Sequence, residues 1–169
     1  MISIHQASVP PSLRALGVLS DLLGKGAAHC EARSIDPAVM LQSRLYLDML
    51  PLTKQVQIAS DSANRMGARI AGVPVPSMPD IETTFTELQK RLADTMAFLK
   101  SLKPEQFEGG ETREIAMPVR GGELKLSGLD YIQGFALPNL YFHVTTAYAI
   151  MRHNGVELGK MDYLGNPPA

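Results

Sequence analysis

Asn139 and His143 stand four residues apart in the stretch LDYIQGFALPNLYFHVTTAYAIMRHN, Leu129 to Asn154, the longest apolar helical candidate in the chain. On a helix that spacing puts both side chains on one face, a turn apart. Leu129, Ile132, Ala136, Asn139, His143, Thr146 and Ile150 recur in steps of three and four, so the two polar residues fall where core residues are expected. A buried asparagine and histidine need hydrogen-bond partners to offset their desolvation. Three kinds of chemistry fit: a satisfied polar cluster that sets helix register, a pocket for a small molecule, or a metal position. Phe135, Tyr141, Phe142, Val144 and Tyr148 lie off this seam and leave the helix apolar nearly all round. That excess predicts a further burial, such as a homodimer interface.

The remaining chemistry-bearing residues have simpler readings. His5 and His29 are expected at the surface, and His153 beside Arg152 suits a helix C-terminus, where a cation opposes the dipole. The single cysteine, Cys30, rules out an internal disulfide and a multi-cysteine metal site, and is expected to pack as a small apolar group. The chain has no HExxH, GxGxxG, phosphate-loop or GxSxG pattern. Its aromatic residues do not alternate with a basic stripe, and a net charge of −1 gives no electrostatic reason to expect nucleic acid or an anionic membrane.

Four helical segments are expected to position these residues. The first, Ser12 to Arg33, carries Leu13, Leu16, Leu19, Leu22 and Leu23 on one face, with Pro10 and Pro11 at its start or at a kink close to it. Asp36 and Pro37 cap and open the second region, which runs to Ala71. Its seam, Leu45, Met49, Leu52, Val56, Ala59, Ala63, Met66 and Ile70, passes through Pro51. That proline predicts a kink, or a short helix followed by a longer one starting near Leu50. The third helix is expected to open at Ser77, with Asp80 completing a capping box, Ile81, Phe85, Leu88, Leu92, Met96, Leu99 and Leu102 on its inner face, and a Glu87–Arg91 pair outside. Ile115, Met117 and Val119, then Gly121-Gly122, then Leu124 and Leu126 predict a β-hairpin with Pro118 on an edge strand. The fourth helix, with Ser127 as its cap, ends at Asn154-Gly155, ahead of a short tail from Val156.

The architecture these elements imply is all-α: a four-helix bundle with a small β-hairpin before the last helix, in one domain spanning residues 1–169. An apolar fraction of 45% beside 20% charged residues suits a folded core rather than a disordered chain. The opening MISIHQASVPP lacks the basic region and apolar run of a secretion signal, and no stretch reaches about 18 uninterrupted apolar residues, so a cytoplasmic protein without a membrane span is expected.

YFHVTTAYAIMRHNGVELGKMDYLG, together with DMLPLTKQVQIA and the hairpin MPVRGGEL, resembles a bacterial and fungal domain-of-unknown-function family within the DinB-like superfamily of metal-dependent helix bundles. The resemblance covers nearly the whole chain and brings a fold rather than an activity. In typical DinB-like proteins three histidines hold a divalent metal, often nickel or zinc: one from the second helix and two from an HxxxH pair on the last. Counting back from Gly155, the resemblance places that set on Gln55, Asn139 and His143, so one histidine remains of three. Amides bind transition metals far more weakly than imidazoles, and Asp48, one turn and a half above Gln55 on the same side of the helix, could supply a carboxylate. The resemblance therefore implies a degenerate metal site, in a non-catalytic or small-molecule-binding protein. Its alternative is a metal-dependent enzyme of the DinB-like thiol-transferase or hydrolase kind, with His143 as base or residual ligand.

Overall fold

Four long helices enclose the core in this computed structural model, which describes residues 2–165; Met1 and the end of the expected tail, Asn166 to Ala169, lie outside them. Helix α1 is Ile4–Ala32, α2 is Pro37–Gln42, α3 is Leu52–Ala71 and α4 is Phe85–Ser101. A 3-10 turn, Pro104–Phe107, leads to strands β1 (Glu114–Val119) and β2 (Gly122–Ser127). The last long helix comes in three pieces: α5 (Gly128–Tyr131), a π-helical segment (Ile132–Ala136) and α6 (Leu137–His153). Helix α7, Lys160–Leu164, follows. Going round the bundle, α1 packs on α4, α4 on α3, α3 on α6 and α6 back on α1. The expected four-helix bundle with its hairpin is therefore the fold.

Each helix differs from its sequence expectation in an instructive way. Helix α1 begins at Ile4 rather than near Ser12, with Pro10 and Pro11 inside it. Ser3 and Gln6 form a reciprocal capping box, and burial of Ile4 and Val9 offsets the backbone hydrogen bonds the prolines forfeit. The second region splits, as Pro51 allows, into α2 and α3, with Pro51 as N-cap of α3. Leu45 and Met49 consequently leave the helical seam for the intervening loop, while Leu52, Val56, Ala59, Ala63, Met66 and Ile70 are all fully buried.

The third long helix starts at Phe85, not Ser77. Thr84 accepts from the Glu87 backbone N–H at 3.2 Å, and the Glu87 carboxylate accepts from the backbone N–H groups of Thr83 and Thr84 at 2.7 and 3.0 Å. Ile81 is 73% exposed in the extended segment ahead of that cap. Glu87 is thus a capping residue and does not pair with Arg91, which turns inward instead. Against α4, Gly67 of α3 leaves room for Leu99 and Leu102; a Cβ there would lie 2.6 Å from Leu99 Cδ2.

In the hairpin Val119 pairs with Gly122, so the two turn residues are Arg120 and Gly121, one position earlier than Gly121-Gly122. Gly121 takes φ +95, a conformation that suits glycine. Ser127 caps the last helix through the Asp130 N–H, and Gly155, at φ +91, follows its end. The π-helical segment adds a residue to the period, so ahead of it Tyr131 is buried and Leu129, the expected seam residue, is 39% exposed. Within it Ile132 and Ala136, and beyond it His143, Thr146 and Ile150, face inward as expected, joined by Val144, which the seam had placed off the core. Among the described residues no helix is long and apolar enough to cross a membrane.

Candidate functional site

Helices α3 and α6 carry the three candidate residues. The N-cap role of Pro51 starts α3 just ahead of Gln55, and the Gln55 N–H bonds back to the Pro51 carbonyl at 3.1 Å. Gln55 is buried, and its side chain bridges two elements: Nε2 donates to the Leu50 carbonyl at 2.9 Å, and Oε1 lies 2.7 Å from His143 Nδ1. Because the carbonyl can only accept, it fixes which end of the Gln55 amide is nitrogen. Oε1 must then accept, so His143 carries a proton on Nδ1 and leaves the Nε2 lone pair free. Burial holds the imidazole pKa below its ordinary value, which keeps His143 neutral at pH 7. Phe142 meets the ring edge-on, with centroids 5.2 Å apart.

Asn139 is half-buried and turns elsewhere: Nδ2 donates to Ser62 Oγ on α3 at 2.7 Å. The three candidates thus divide into a Gln55–His143 pair and an Asn139–Ser62 pair. Ser62 and Asn139 line a cavity of about 270 Å³ between α3, the hairpin and the π-helical segment, with Arg65, Arg69 and Tyr131 contributing the other polar groups. Neither Gln55 nor His143 lines it. Asp48 lies exposed in the loop ahead of α3, not on a helix turn above Gln55, because Pro51 ends the helical path between them.

This donor set does not fit a transition metal. One imidazole and two amides are available, one amide oxygen is already taken by the imidazole, and no group of three or more His, Cys, Asp or Glu among the described residues could hold an ion. Cys30 is fully buried, and burial, with Asp36 adding to it, raises its thiol pKa, which leaves it packed and unreactive. His5 packs edge-on against Phe107, its ring centroid 4.8 Å away.

A second polar cluster escaped the sequence reading. Arg91, with only 1% of its side chain exposed, pairs with Asp61 at 2.6 Å, Asp80 at 3.1 Å and Glu82 at 2.9 Å, and its Nε donates to Ser60 Oγ. Gln57 donates to Glu82, and Ser60 bonds Thr95. The signal was present: Arg91 stands three residues after Leu88 and four before Thr95, both fully buried, so its position faces inward. Here the guanidinium ties the extended segment ahead of α4 to the bundle.

A DinB-like helix bundle is the class that fold and site define. The chain is similar to the crystal structure of a DinB family member protein from Shewanella denitrificans, at 39% identity and a TM-score of 0.91, covering 98% of this chain and 93% of that one. It belongs to the family described as a domain of unknown function (DUF1993), which matches residues 4–164. No protein with a curated description matches it.

Proposed function

We propose that this chain is a small-molecule-binding, non-catalytic DinB-like protein in which the metal position has become a structural hydrogen bond. One observation carries the reading: Gln55 and His143 satisfy each other at 2.7 Å, while Asn139, the third candidate, lines a cavity with Ser62. With the Gln55 oxygen given to the Nδ1 proton and Asn139 turned to Ser62, His143 Nε2 is the one imidazole nitrogen left at the three positions, too few strong ligands to hold a transition metal. Elemental analysis of protein purified without an affinity tag tests it. Substoichiometric zinc and nickel are expected; a stoichiometric metal lost in His143→Ala overturns the reading.

The enzymatic alternative rests on the His143 Nε2 atom, which makes no hydrogen bond to the protein among the described residues and stays unprotonated at neutral pH. As a base it would serve a thiol-transferase or hydrolase reaction, and turnover abolished by His143→Asn would support it. A homodimer is proposed on the exposure of Phe135, Tyr141 and Phe142 along the last helix. Light scattering that finds a monomer at micromolar concentration removes it.

A further inference from the structure

We propose that the cavity beneath the hairpin binds a small amphipathic monocarboxylate, its carboxylate held by Arg69 and the Tyr131 hydroxyl and its apolar part against Met117, Val119 and Phe135. The proposal rests on the small-molecule reading above and assigns its ligand class.

The other arginines that are buried, half-buried or in the cavity wall are committed: Arg91 to Asp61, Asp80 and Glu82, Arg65 to Asp61 at 2.8 Å, and Arg113 to the Ile70 carbonyl. Arg69 is different. It is half-buried, lines the cavity, and has no carboxylate within ion-pair distance among the described residues. Its protein contacts are the Tyr131 hydroxyl at 3.3 Å and the face of that ring, 5.5 Å from the guanidinium carbon. A guanidinium carries five donors, so most of this one's are open to a ligand.

Tyr131 supplies the second donor. Its hydroxyl accepts from Arg69, and no acceptor for its own proton occurs among the described residues. Burial raises its pKa, so it stays protonated and able to donate. The π-helical segment is what aims these groups: it follows Tyr131 directly and stacks Phe135 on the tyrosine ring, centroids 6.1 Å apart. Such segments commonly mark binding sites. Ser62 stands two helical turns before Arg69 on the same face of α3, so the Asn139–Ser62 pair adds a polar flank.

Charge and size choose the ligand. Of the two guanidiniums in the lining, Arg65 is paired with Asp61 and Arg69 has no carboxylate, and one unpaired cation with one hydroxyl donor matches a monoanion better than a dianion such as a phosphate monoester. Met117, Pro118, Val119 and Leu124 make the hairpin wall apolar. A volume of 270 Å³ lies just below the usual range for drug-sized ligands, which suits a molecule of about a dozen non-hydrogen atoms.

Calorimetric titration of the full chain with 4-phenylbutyrate and with the neutral, isosteric 4-phenylbutanamide tests the assignment. The acid is expected to bind about tenfold tighter or more, and Arg69→Met to erase that preference while keeping the packed stem. Tyr131→Phe, which keeps the ring, is expected to weaken the acid alone. Equal affinities for acid and amide, a preference that survives in Arg69→Met, or no binding of the acid at millimolar concentration would each overturn the proposal. Side-chain amide resonances of Asn139, followed in the same titrations, separate the two levels. Neutral amide that binds and shifts them without any advantage for the acid sinks the carboxylate and leaves the small-molecule reading standing. Failure of both probes counts against both.

Discussion

His143 donates through Nδ1 to the side-chain oxygen of Gln55 over 2.7 Å, and Gln55 passes its own amide hydrogen to the carbonyl of Leu50. This relay joins α6 to the N-terminus of α3 and to the loop ahead of it, so a change at either residue is felt in three places.

Gln55→Leu keeps the volume and removes both bonds. It leaves a buried imidazole N–H and a carbonyl without partners, and is expected to cost about 1–3 kcal/mol in urea unfolding. A loss within the error of the wild-type curve would mean that water replaces the amide.

The depressed pKa of His143 makes stability depend on pH in a defined sense. The unfolded chain takes up a proton near pH 6.5, before the folded chain does, so this residue's contribution is complete above that value and falls as pH drops through it. Unfolding free energies at successive pH values between neutrality and mild acid are expected to show that decline. His143→Asn, which retains a donor near the Nδ1 position, is expected to lack its share.

Removing Arg91 leaves Glu82 without a cation and takes one partner each from Asp61 and Asp80, which keep Arg65 and Lys54. Arg91→Met is expected to destabilise the fold by about 3–5 kcal/mol, and Arg91→Lys to rescue only part, because an ammonium cannot serve the planar set of acceptors. Amide hydrogen exchange should report the loss first in the extended segment before α4. Burial by itself would raise the Glu82 pKa, but the hydrogen bonds from Arg91 and Gln57 and the charge of Arg91 outweigh it and lower the pKa, so this residue's contribution is complete above the ordinary carboxylate range and is lost on acidification below it.

Gly128 sits against the backbone of Gly110, where a Cβ would overlap the Gly110 carbonyl oxygen and lie 3.0 Å from Ile70 Cδ1. Gly128→Ala is expected to lower stability by about 1–3 kcal/mol, although alanine is the better helix former, with chemical-shift changes that spread into the hairpin. A gain in stability would mean that the hairpin is free to move away.

Helical period alone determined the bundle: the steps of three and four from Leu52 to Ile70 are all core, and those from Ile132 to Ile150 turn His143 inward. Burial on one face of a helix is a local property, repeated every turn, and a sequence displays it directly. The choice between competing helix starts is not local. Ser77 with Asp80 and Thr84 with Glu87 both have the pattern of a cap, and the second is used. With the first left extended, Asp80 and Glu82 reach Arg91 together with Asp61 of α3. The start of α1 at Ile4, by contrast, has a local signal in the Ser3–Gln6 capping box, with burial of Ile4 and Val9 against the bundle carrying the helix through Pro10 and Pro11. The fate of the opening pair was not local. Sequence spacing put Asn139 and His143 on one face, but it was the position of α3 that handed His143 to Gln55 and Asn139 to Ser62, since a hydrogen bond depends on distance and angle between elements that the order of residues does not contain.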